Sequence, residues 1–168
     1  MTATYEPIST QTLGTAIADI YFTSIPQTYT DLVLVCNMNG ASHLTVGFRV
    51  NGSSSTIYSA TELAGNGFGA LTNRVSNENY ARMTNYGGPD TTGRSVLISS
   101  FMNYSNTTTN KTVLNRANNA GGSFPGSQAG VNLVRTTSAI TSINLMTASG
   151  GNFAVGSTFT LYGIKAAA

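Results

Sequence analysis

Acid–base, nucleophilic or metal chemistry in this chain would have to run through few side chains. They are one histidine, His43, one cysteine, Cys36, and six carboxylates, Glu6, Asp19, Asp31, Glu62, Glu78 and Asp90. A single histidine offers no multi-histidine metal site, and the Cys/His spacing of a zinc site is missing. A Ser-His-Asp triad would need His43, which stands on the polar side of an alternating segment beside Thr45 and reads as an exposed or hydrogen-bonded surface residue. The carboxylates never occur as a local pair, so a glycosidase pair would have to be assembled by folding, a point the sequence leaves open. Asp31 follows Tyr29-Thr30 at a strand start and reads as a turn residue bonded to nearby backbone. Gly65-Asn66-Gly67-Phe68-Gly69 has the glycines of a phosphate-cradling loop without its Lys-Ser/Thr ending, and reads as a flexible loop. No catalytic residue, cofactor or metal site is assigned, and the chain is expected not to be an enzyme.

The charges exclude other partners. Eight basic and six acidic residues leave a formal net charge of +2. Arg49, Arg74, Arg82, Arg94, Arg116 and Arg135 are scattered singly, with no cluster to neutralise adjacent phosphates, so a nucleic-acid partner is not expected. Cys36 sits in the apolar run Leu32-Val33-Leu34-Val35 and reads as a buried small hydrophobe. The N-terminus lacks a basic region followed by an apolar stretch, and no run approaches the ~20 apolar residues that span a bilayer. Synthesis as a soluble cytoplasmic product without a membrane partner is the expectation. Tyr58, Tyr80, Tyr86 and Tyr104 fall near probable loops; they are candidate contact residues able to stack on sugars, and equally candidates for packing.

These residues need a scaffold, and composition points to β structure. Only 8% of the chain is charged, whereas 40% is hydrophobic; ordinary globular proteins carry ~25% charged residues. Thr, Ser, Tyr and β-branched residues suit a pleated, half-buried surface. Residues 31–37 form a continuous apolar run before the turn-prone Asn39-Gly40, which predicts a central strand. Leu44, Val46, Phe48 and Val50 alternate with polar neighbours up to the Asn51-Gly52 turn. Further strands are expected near 16–22, 96–103, 109–116, 131–136, 139–146 and 157–164, with Phe159 and Leu161 on one face of the last. Residues 64–93 read as a long surface excursion holding at most a short strand or helical turn near 71–80, and 120–130 as a Gly-rich loop. At 168 residues the chain fits one domain. The expectation is an all-β, single-domain antiparallel β-sandwich, jelly-roll-like, of about eight strands. Residues 1–15 are read as an N-terminal arm and 165–168 as a flexible tail.

Three stretches carry a resemblance: Phe22-Thr23-Ser24-Ile25-Pro26-Gln27-Thr28-Tyr29-Thr30-Asp31-Leu32-Val33-Leu34-Val35, Met102-Asn103-Tyr104-Ser105-Asn106-Thr107-Thr108, and Thr137 to Ile143 continuing to Gly151 to Ile164. The closing Gly156-Ser157-Thr158-Phe159-Thr160-Leu161-Tyr162-Gly163-Ile164 is the most distinctive. From about Ile17 to Ile164 the chain resembles structural proteins of tailed phages, especially those of cyanobacteria. The resemblance implies a virion structural protein, free-standing on the capsid as a decoration (cement) protein or attached to the tail fibre. The first implies a homotrimer on the outer surface of the major capsid protein that stabilises the mature shell; the second implies binding of host-surface glycans.

Overall fold

The computed structural model describes residues 4–121 and 125–165. Within them run twelve strands: β1 (Tyr5–Thr12), β2 (Asp19–Phe22), β3 (Asp31–Met38), β4 (Val46–Val50), β5 (Tyr58–Gly65), β6 (Ala70–Glu78), β7 (Ala81–Arg82), β8 (Ser95–Met102), β9 (Lys111–Asn119), β10 (Gly126–Val134), β11 (Ile143–Thr147) and β12 (Thr158–Ile164). They form an eight-stranded sheet ordered β1-β12-β3-β8-β9-β10-β5-β6 and a four-stranded sheet ordered β2-β11-β4-β7. Every pairing is antiparallel. No helix long and apolar enough to cross a membrane occurs among the described residues.

The two sheets close because their period-two patterns aim apolar side chains at each other. Leu32, Leu34, Cys36 and Met38 of β3, Leu97 and Phe101 of β8, and Phe159 and Leu161 of β12 point inward from the large sheet. They meet Ile20, Phe22, Val46, Phe48, Val50, Ile143 and Leu145 of the small one. Phe48 lies edge-on to Phe101, ring centroids 5.1 Å apart, and to Tyr58 at 6.3 Å. Each such side chain contributes roughly 1.5–3 kcal/mol by leaving water. Burial pushes the Cys36 thiol far above its usual range, as fits a thiol held among hydrocarbon.

Two backbone positions show why these residues occur where they do. Asn51 and Gly52 both have positive φ, 52° and 67°, making the turn that ends β4. The Asn51 side chain then fastens the segment leading into β11: its Oδ1 accepts from the Thr141 and Ser142 amides and its Nδ2 donates to the Ala139 carbonyl at 2.8 Å. Gly163 lies under the Tyr29 ring, where a Cβ would come within 2.4 Å of Cγ. The Tyr29 hydroxyl donates to Glu6, which also receives Lys165 Nζ at 2.7 Å. First and last strands thus share one seam, with Tyr5 opposite Ile164 and the Lys165 amide donating to the Thr4 carbonyl.

The strand count departs from about eight because β1, β5, β6 and β7 carry weak signals. Residues 5–12, within the stretch read as an arm, pair with β12; their inward positions are mostly polar because this is an edge. Strand β5 turns Tyr58, Ala60, Glu62 and Ala64 inward, a mixed set with little periodic contrast. The excursion read over 64–93 is not at the surface throughout. Residues 70–78 form a full strand, and Met83, Thr84, Gly87, Gly88, Pro89 and Asp90 are buried. Strand β10 also begins inside the stretch read as a Gly-rich loop. Residues 166–168 of the predicted tail lie outside the described residues.

Candidate functional site

The segment from Arg82 to Asp90 crosses the inner face of β9, β10 and β5, and its backbone is satisfied by side-chain amides. Asn132 Nδ2 donates to the Arg82 carbonyl at 2.7 Å, Asn115 Nδ2 to Met83 at 2.9 Å, and Asn119 Nδ2 to Gly88 at 2.8 Å. Gln128 Oε1 accepts from the Asn85 and Tyr86 amides, both at 2.8 Å, while its Nε2 donates to Glu62 Oε1 at 2.9 Å. Asn73 donates to the other Glu62 oxygen. These buried polar groups replace a second sheet, and the irregular segment keeps a fixed path because its hydrogen bonds are made. Lys111 ends the same inner row, its Nζ donating to the Thr109 and Thr137 carbonyls; burial draws its ammonium below the usual lysine range.

With the inner face of β9, β10 and β5 polar, their outer face carries apolar side chains. Across it run the register rows Val33, Ser100, Leu114, Val131, Thr61, Arg74 and Val35, Ile98, Arg116, Ala129, Leu63, Thr72. Leu63, Val96, Met102, Leu114, Val131 and Leu133 are between 39% and 58% exposed. Arg116 stands among them, and neither it nor Arg74 has a hydrogen bond or ion pair among the described residues. An exposed apolar sheet face with two unpaired arginines is a candidate interaction surface.

A second feature lies at one end of the sandwich. The β3–β4 loop, the β5–β6 turn, the β7–β8 segment and the residue before β10 enclose a cavity of about 430 Å³. His43, Asn66, Phe68, Asn85, Tyr86 and Pro125 line it. Phe68 is 96% exposed at the tip of the turn, whose Asn66 Oδ1 accepts from the Phe68 and Gly69 amides at 3.1 and 3.2 Å.

The four candidate tyrosines do not converge. Tyr58 and Tyr104 are corrected from contact residues to core residues: both are fully buried. Tyr58 Oη donates to the Ser53 carbonyl and accepts from the Val50 amide, and Tyr104 Oη donates to the Pro26 carbonyl. Tyr80 covers Gly47 and lies under the Arg82 guanidinium, 6.0 Å from ring centroid to carbon. Only Tyr86 reaches the cavity. Every carboxylate accepts a structural hydrogen bond: Glu6 from Lys165, Asp19 from Asn144, Asp31 from the Asn103 amide, Glu62 from Asn73 and Gln128, Glu78 from Arg82, and Asp90 from the Thr92 and Gly93 amides. Among the described residues no three His, Cys, Asp or Glu side chains come close enough to hold a metal ion. The outer sheet face escapes a reading from sequence, since nothing local to Leu114 or Val131 says which side of the strand is wet.

No family model, curated protein or solved structure matches the chain.

Proposed function

We propose that this chain is a non-catalytic virion structural protein, a capsid decoration protein that docks on the outer surface of the major capsid protein as a homotrimer and stabilises the mature shell. The observation that carries this reading is the exposed apolar face of the large sheet, with Arg116 at its centre. A partner matching it offers apolar surface and a carboxylate opposite Arg116; a second copy laid face to face would oppose arginine with arginine. The commitment of all six carboxylates to structural bonds favours binding over catalysis. The low charge lets copies associate with little desolvation of ions. The resemblance to tailed-phage proteins supplies the setting, and by linkage each site filled at ~100 times its dissociation constant adds ~2.7 kcal/mol to the shell.

The fold belongs to this proposal as a jelly roll enlarged by two hairpins. The order β1-β12-β3-β8 facing β2-β11-β4-β7 supports an eight-stranded roll. The hairpin β5–β6 is inserted between β4 and β7, and β9–β10 between β8 and β11, each extending the large sheet beyond β8. The apolar face lies largely on this extension, which gives the insertions a purpose.

Light scattering on the purified chain is expected to give three times the 17.5 kDa protomer mass. Particles depleted of the protein are expected to lose heat and osmotic resistance and to regain it on adding the chain back. Leu114→Asp with Val131→Asp should keep the β-sheet circular dichroism and lower particle occupancy at least tenfold. Unchanged occupancy by the variant, or equal resistance of depleted particles, would overturn the reading.

A further inference from the structure

We infer that the cavity at the loop end of the sandwich binds a neutral saccharide. The inference stands apart from the capsid proposal, because the cavity and the outer sheet face share no lining residue.

Among the described residues the lining contains no Asp, Glu, Lys or Arg. An ammonium ligand would enter it without a counter-charge, and an anion would meet no basic group there besides the His43 imidazole, which is costly in a partly enclosed site. What the lining does offer is rings and amides: Phe68 and Tyr86, with the side chains of Asn66 and Asn85. A sugar ring matches that pairing, since one face is C–H and stacks on an aromatic ring, while its rim of hydroxyls both donates and accepts. At about 430 Å³ the cavity falls within the range of small-ligand sites.

Several amide and hydroxyl groups here are uncommitted, in contrast to the amides that hold the 82–90 segment. The Asn115, Asn119 and Gln128 amides and Asn132 Nδ2 are engaged. The Asn85 side chain, Asn66 Nδ2 and the Tyr86 hydroxyl make no hydrogen bond among the described residues. Their backbones, however, are fixed. Gln128 clamps the Asn85 and Tyr86 amides from the buried side, and Gly87 comes so near the Gly126 carbonyl that a Cβ would lie 2.8 Å from it. Asn66 uses only its Oδ1 to hold the turn that carries Phe68. A rigid frame with free polar ends is the arrangement that binds with little ordering cost. An almost fully exposed phenylalanine at a turn tip gains burial only when something covers it.

The test is a titration of the whole chain, followed by amide NMR, with methyl glycosides of glucose, galactose, mannose and N-acetylglucosamine up to tens of millimolar. The expected result is saturable shifts for at least one of them, confined to residues near 43, 66–69 and 85–87, and insensitive to salt. Phe68→Ala and Asn85→Ala should each weaken binding roughly tenfold, the size of one lost ring contact or hydrogen bond. Phe68 is exposed, so its variant is expected to fold, and its unchanged spectrum elsewhere would check that. Leu114→Asp with Val131→Asp should bind the sugar normally, which separates this site from the capsid face. Absence of saturable shifts with all four glycosides, or undiminished binding by Phe68→Ala, would overturn the inference.

Discussion

At the scale of single residues, the charges in this chain act as fasteners. Glu6 is held below its ordinary 4.5 first by the hydrogen bond from Lys165 and then by that from Tyr29. Its folded form therefore binds fewer protons than its unfolded form through that range, so its contribution is complete above the usual glutamate value and is lost as pH falls through the lowered one. Amide exchange in β1 is expected to accelerate relative to β3 as pH falls below the ordinary glutamate value and through the lowered one, and Glu6→Gln should remove most of that pH dependence. Equal acceleration in the variant would show that the fastening lies elsewhere. The tyrosines illustrate how far residue types carry a reading. Nearness to a turn singled out Tyr58, Tyr80, Tyr86 and Tyr104 alike, yet Tyr58 and Tyr104 send their hydroxyls to backbone carbonyls inside the core, Tyr80 covers Gly47, and Tyr86 faces a cavity. Only the path of the surrounding loops distinguishes them.

At the scale of elements, β3, β4, β8, β11 and β12 were legible because their neighbour across the sandwich is another sheet. The alternation in β4 and β12 reports truthfully which side is inside, because Phe48, Leu161 and their kind pack on hydrocarbon. In the middle of β9, β10 and β5 the alternation breaks: Asn115, Asn132 and Glu62 point inward and Leu114, Val131 and Leu63 outward, while Val113, Val134 and Tyr58 still face the core. The reason is that the inner neighbour is a loop backbone, which asks for donors and acceptors in place of methyl groups. Taken by hydrophobicity alone, the middles of these strands give no clear inside. The segment 82–90 likewise has no periodicity to read, because its hydrogen bonds are made by residues far away in sequence. Gln128 is the sharpest test, since it serves two backbone amides and a buried carboxylate. Gln128→Leu is expected to cost roughly 3 kcal/mol or more, seen as a lower urea midpoint at unchanged slope, with fast amide exchange at Asn85 and Tyr86. A loss well under 1 kcal/mol would show that water replaces the side chain without penalty.

At the scale of the whole molecule, the large sheet does two jobs with its two sides. Toward β2, β11 and β4 it closes a hydrocarbon core; beyond β8 it covers a polar loop and turns its apolar side chains outward. The proposed capsid contact and the proposed sugar cavity then fall on different parts of one rigid body, so either can be altered without the other. The seam between β1 and β12 has a mechanical consequence. Because Tyr5 and Ile164 face each other at the same end of an antiparallel pair, tension applied to the two ends of the chain loads its hydrogen bonds in sequence, as in opening a zip, and not all at once. Single-molecule pulling by the termini should release β1 at low force in small steps, whereas load arriving broadside on the sheet is shared by every strand in it. A protein mounted by that face would tolerate strain from its support far better than a tug on its ends.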